Sequence, residues 1–88
     1  MNPADLRRLY RAARAVDTLP ARVDALQARH DHAAAVLLAA MTDGPLDLPG
    51  YRVTVTTGPA GYAPLVARRA MTDAAQLALW RALEDASR

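Results

Sequence analysis

Residues 9–41 read LYRAARAVDTLPARVDALQARHDHAAAVLLAAM, and the spacing of apolar side chains along them decides the fold class. Leu9, Ala12, Val16, Leu19, Val23, Leu26, His30, Ala33, Leu37 and Ala40 recur in alternating steps of three and four. A narrow seam of that period belongs to helices that pack along their length, as a coiled coil or a helical hairpin. Pro20 interrupts it. Inside a helix, proline removes a backbone hydrogen bond and clashes with the preceding turn, at a cost of about 3 kcal/mol. Two forms follow: a helix that breaks near Asp17–Leu19 and restarts with Pro20 in its first turn, or one long helix kinked there. Asp17 and Thr18 are good capping types, which favours the break; the uninterrupted seam favours the kink. The break is the expected form.

Working outward, Asn2 before Pro3 is an N-cap followed by the residue best suited to a first helical turn. At the other end, Val36 to Met41 is apolar on every helical face, so this end must be covered on all sides. Thr42-Asp43-Gly44-Pro45 stops the helix, with Gly near C′ and Pro beyond it. Tyr51-Arg-Val-Thr-Val-Thr-Thr57 alternates and is rich in β-branched types, the pattern of a strand. Tyr51, Val53 and Val55 share one face, and Arg52, Thr54 and Thr56 the other. Gly58-Pro59-Ala60-Gly61 is a turn cluster, and Tyr62 to Arg69 returns as a second strand. Pro64 cannot donate to a ladder, which makes that strand an edge. Two strands alone are marginal in water, so the hairpin must lie on the apolar end of the second helix or on another chain. Thr72 and Asp73 open a last helix, with Ala75, Leu79, Ala82, Leu83 and Ala86 on one stripe and Leu77 and Trp80 on the opposite flank. The expected fold is α+β and mostly helical, one domain over 1–88. It comprises a helical region at 3–42 (helical hairpin or kinked coiled-coil helix), a β-hairpin at 51–69 and a C-terminal helix at 72–87.

Composition sets limits on function. The chain has 88 residues and 9.4 kDa, and 21 of its apolar residues are alanine. A domain this short has a marginal core, and alanine thins it further. Without cysteine there is no disulfide framework, thiol catalysis or Cys-based metal site. No apolar run is long enough to span a bilayer, and no signal-like segment opens the sequence; the expected location is cytoplasmic, with no membrane partner. All 11 basic residues are Arg, while Lys, Ile and Phe are absent. Loss of Ile and Phe alongside Lys points to a GC-rich genome rather than to selection for phosphate-binding forks.

Charge falls in blocks that the net +2 conceals. Residues 1–16 carry a net +3, residues 17–50 a net −3, residues 51–70 a net +3 and the remainder a net −1. The acidic second block is long enough to answer the basic first one within the protein.

Catalytic raw material is scarce, and no enzyme, cofactor or metal is expected. His30 and His32, at i and i+2, point to nearly opposite sides of a helix, whereas helical metal sites use i,i+4 or i,i+3. A polar His30 in the seam fits a register-setting role, and His32 a solvated face. The one serine, Ser87, lies at a terminus. The glycine cluster at 58–61 lacks the lysine and Ser/Thr of a phosphate loop.

The arginines carry the most specific signal. Arg7, Arg11 and Arg14 fall at i, i+4 and i+7 with Arg8 adjacent, a helix face able to track phosphates or simply to be solvated. Arg52, Arg68 and Arg69 would extend it if the fold brought the blocks together. The order of long helix, β-hairpin and amphipathic last helix, through Tyr51-Arg-Val-Thr-Val-Thr-Thr-Gly-Pro-Ala-Gly61 and Ala82-Leu-Glu-Asp-Ala86, resembles the YbaB/EbfC nucleoid-associated proteins. It covers under half of the chain, without a clear third strand, and implies a dimer that binds DNA; no site residue carries over from it.

Two functions are therefore expected, in order. The first is a non-enzymatic interaction or assembly module, an adaptor that forms a homo-oligomer (most simply a dimer) and engages other protein chains. Leu9, Val16, Leu19, Val23, Leu26 and Leu37, with Leu77 and Trp80, would form its interface. The alternative is a small dimeric nucleic-acid binder that uses Arg7, Arg8, Arg11 and Arg14, helped by Arg52, Arg68 and Arg69.

Overall fold

The structure, a computed structural model, describes residues 2–20, 24–59 and 61–85. Three helices and a three-stranded antiparallel sheet follow in the order α1 (Pro3–Thr18), α2 (Asp24–Ala40), β1 (Leu46–Leu48), β2 (Tyr51–Gly58), β3 (Gly61–Arg68) and α3 (Asp73–Asp85). The fold is α+β and mostly helical, as the periodicity predicts.

Helix α1 starts where its sequence says it should. The Asp5 amide donates to Asn2 Oδ1 at 2.9 Å, and Pro3 occupies the first turn, where its missing N–H costs nothing. It ends at Thr18 because of Pro20. The residue before a proline is pushed out of the α region, and Leu19 is extended at φ −80° and ψ 131°. The helix breaks, and the kinked alternative is excluded. Asp17 and Thr18 do not cap a restart, however. The Thr18 hydroxyl donates back to the Arg14 carbonyl at 2.7 Å, closing α1, and α2 is described from Asp24 onward.

Helices α1 and α2, joined by a short connection, pack on each other as the expected hairpin. Their contact forms the core with the sheet: Leu9, Ala12, Ala13, Ala33, Leu37, Leu48 and Val53 are all buried. Among the described residues, only Leu37, Leu48 and Val53 are large side chains with essentially no exposure. Val36, Ala40 and Met41 pack against this cluster, covering part of the apolar end of α2.

The sheet corrects one expectation. Between Pro45 and Pro49, Leu46–Leu48 forms a third strand paired with β2, with Leu46 opposite Val53 and Leu48 opposite Tyr51. Pro49 followed by Gly50 at φ 79° makes the connection; a proline and then a positive-φ glycine is what a type II turn requires. Strand β3 is the edge beyond β2, and Pro64 sits in it opposite Val55. Tyr51, Val53 and Val66 on one face cover the core, whereas Val55 and Tyr62, nearer the hairpin tip, are exposed.

Helix α3 begins as expected, with the Thr72 hydroxyl accepting the Ala75 amide at 3.1 Å. It lies on α1, burying Leu79 and Ala82, and the Arg7 guanidinium ties it down by donating to the Ala82 carbonyl at 3.0 Å. Ala86 lies outside the described residues. No helix among the described residues is long and apolar enough to cross a membrane.

Leu37→Ala removes one of the few large buried side chains and should cost about 2–5 kcal/mol in urea unfolding. Leu65→Ala, on the exposed hairpin, should stay within about 0.5 kcal/mol. Equal losses at the two sites would show that the core lies elsewhere.

Candidate functional site

The arginines predicted to act together separate into two groups. Arg7, Arg8, Arg11 and Arg14 of α1 line an open groove of about 850 Å³ between α1 and α2. Helix α2 contributes Arg29 and His32 to the opposite wall, which the sequence pattern alone did not associate with the face. Small apolar side chains form the floor: Ala12, Ala15, Ala33 and Val36. Arg8 approaches Asp5 at 3.9 Å, a loose exposed contact. Among the described residues, Arg11, Arg14 and Arg29 have no carboxylate within ion-pair distance.

Arg52, Arg68 and Arg69 do not line this groove, and each has a carboxylate partner. The Asp47 carboxylate receives both Arg52 and Arg69, each at 3.1 Å. Arg68 Nε donates to Asp17 Oδ2 at 2.8 Å. The expected neutralisation is thus rearranged: the acids Asp17 and Asp47 of the second block are matched by the third block rather than the first. The sequence reading lacked these partners because they come together only when β3 crosses to the end of α1 and Asp47 enters a strand beside Arg52.

The predicted interface residues also divide. Leu9 and Leu37 lie within the chain's own core, at 4% and 0% exposure. Val16, Leu19 and Leu26 are half-buried, and Val23 lies outside the described residues. Leu77 and Trp80 stand on the outer side of α3 with 52% and 64% of their surface in water. The hairpin adds exposed Val55, Tyr62 and Leu65, which the alternation did not single out.

His30 is half-buried with Nδ1 3.5 Å from Asp31 Oδ1, and among the described residues that nitrogen has no hydrogen-bond partner. Among the described residues, no three metal-ligating side chains converge.

A second, smaller recess of about 280 Å³ lies between Tyr10, Gly50, Tyr51 and Met71. Tyr10 and Tyr51 meet there with ring centroids 5.9 Å apart and planes at 47°. Burial first, and then the nearby Asp17 carboxylate, raise the Tyr51 phenol above its ordinary value. The same carboxylate, by hydrogen bond and then by charge, holds the exposed Arg68 guanidinium above its own.

A raised phenol binds its proton more tightly when folded. Its stabilising contribution is complete below the unfolded tyrosine value and is lost as pH rises through the folded one. Phenolate absorbance should show Tyr51, identified by its loss in Tyr51→Phe, titrating above the usual tyrosine range, and Asp17→Asn should bring it closer to that range. An ordinary titration for Tyr51 would show that burial and Asp17 do not outweigh the nearby Arg68 and Arg14 at this phenol. Compared with known proteins, the chain matches no family model, no curated protein and no solved structure, so the resemblance of layout to the nucleoid-associated proteins gains no support.

Proposed function

We propose that this chain is a non-enzymatic interaction and assembly module that works as a homo-oligomer, most simply a two-fold dimer. The observation that carries this function is the outer face of α3, where Trp80 and Leu77 are more than half exposed on a well-formed helix. Covering both is worth roughly 4–5 kcal/mol at the usual area coefficient, a large share of the stability of a domain this size. Tryptophan at a protein surface is also the residue type most enriched among side chains that dominate association. The thin alanine core supports the same conclusion, because a short chain gains from a partner the burial it cannot supply itself. With Leu9 and Leu37 in the core, the proposed interface moves from the helical seam to α3.

Light scattering coupled to size exclusion tests this directly. The expected mass at micromolar concentration is about twice 9.4 kDa, and Trp80→Ala should weaken association by about 2 kcal/mol or more. A monomer of 9.4 kDa at every concentration would overturn homo-oligomerisation.

One observation favours the second function, nucleic-acid binding: among the described residues, Arg11, Arg14 and Arg29 of the groove have no carboxylate within ion-pair distance, and Arg8 has only the loose contact with Asp5. Phosphate contact through four of them requires a log–log salt slope of about −4 on duplex DNA. Absence of binding at ~50 mM salt would eliminate it.

A further inference from the structure

We propose that the groove between α1 and α2 is the seat for helix α3 of a second copy of this chain. The inference rests on the self-assembly proposed above and assigns it a specific contact.

Among the described residues, two surfaces stand uncovered, and each has what the other needs. On α3, Asp73, Leu77, Trp80 and Glu84 follow at i, i+4, i+7 and i+11. At 3.6 residues per turn they fall within a sector of about 60°, opposite the stripe of Leu79 and Ala82 that α3 buries on α1. All four are exposed. The outer face is therefore an apolar centre bracketed by two carboxylates. The groove has the inverse layout: arginines on both walls over an alanine and valine floor. A helix laid in a groove is held by anchors at this spacing. Leu77 and Trp80 would cover the floor, whose small side chains leave room for an indole. Asp73 and Glu84, about 16 Å apart along the axis, would reach the arginine walls, where guanidinium–carboxylate pairs form directed, charge-assisted hydrogen bonds.

Charge and length both fit. Helix α3 carries three acids and one arginine, against five arginines and a histidine around the groove. The groove follows α1 from Ala4 to Leu19, roughly 22 Å at 1.5 Å per residue, longer than the α3 stripe. Arg7, which lines the groove, also bonds Ala82 of its own α3, so the groove borders the inner side of that helix and the outer stripe faces away from it. A stripe turned away from its own groove is free to enter that of a second copy, and reciprocal docking about a two-fold axis would close the assembly at a dimer. Phosphates alone would satisfy the arginines and leave both the floor and Trp80 in water; α3 of a second copy covers all three.

Reversing charge on each surface separately tests the seat. One variant carries Arg11→Glu and Arg29→Glu, one substitution on each wall. The other carries Glu84→Arg on the outer face of α3 and adds a positive charge on the flank beside Trp80 with Gln76→Arg, leaving the start of the helix intact. All four positions are exposed, and circular dichroism should confirm an unchanged fold. By light scattering the wild type should be a dimer and each variant alone a monomer. An equimolar mixture of the two should regain the dimer mass, because both contacts are then complementary again. A monomeric wild type would overturn the self-assembly proposal itself, and this seat with it. A wild-type dimer that both variants retain would leave self-assembly standing and overturn the seat alone. Monomeric variants that fail to pair in the mixture would also overturn it. So would duplex DNA binding that the wall substitutions abolish while the dimer persists, since the groove would then hold phosphates.

Discussion

Helix α1 meets α2, α3 and the sheet at once, and it can do so because the side chains where they close on it are small. Ala12 and Ala13 are buried on α1, Ala33 faces it from α2 and Ala82 from α3. Short side chains let helix axes approach, and the approach in turn limits how much apolar surface each contact removes from water. The rest of the molecule follows from this constraint. With close but thin helix contacts, the large buried side chains are few and sit where α2 meets the sheet. The remaining large apolar groups, Trp80 foremost, have no interior position to occupy.

The same geometry organises the charges. Arg7 turns to the Ala82 carbonyl of α3, while Arg8, Arg11 and Arg14 stand along the open side of α1, where Arg29 of α2 joins them. The acids that sequence adjacency would assign to them are already engaged, Asp17 by Arg68 at the end of α1 and Asp47 by Arg52 and Arg69 at the sheet. These pairs are partly solvated, and exposed ion pairs contribute little stability. Their effect is on distribution: they cancel charge at the sheet end and leave the helical groove strongly positive.

What the sequence discloses here depends on range. Pro20 and Leu19 are neighbours, so the break in the helix could be read from the chain, as could Asn2, Thr72 and the alternation from Tyr51. Strand β1 could not, because three residues between two prolines carry too little periodicity to stand out; the Pro49–Gly50 turn was its only local signal. Leu9 and Leu37 belong to a regular seam that fits a partner helix from any chain, and only the folded hairpin places them inside this one. The outer flank of α3 was legible because its two faces are separated within a single helix. The groove was half legible: four of its arginines share one face of α1, while Arg29 and His32 are brought to it by the hairpin.

Strand β1 pairs with β2 only as far as Val53, so the β2 edge from Thr54 to Gly58 has no neighbour on that side among the described residues. That stretch begins with Thr, Val, Thr and Thr, uncharged and β-branched, and offers free amides and carbonyls to any extended segment that meets it. Such an edge is a template for open-ended growth of the sheet from molecule to molecule. On the far side, β3 cannot close that chain of pairings cleanly, since Pro64 has no amide to donate. Pro64 thus removes one donor from the β3 edge, a device that blunts an edge strand as a template for another chain.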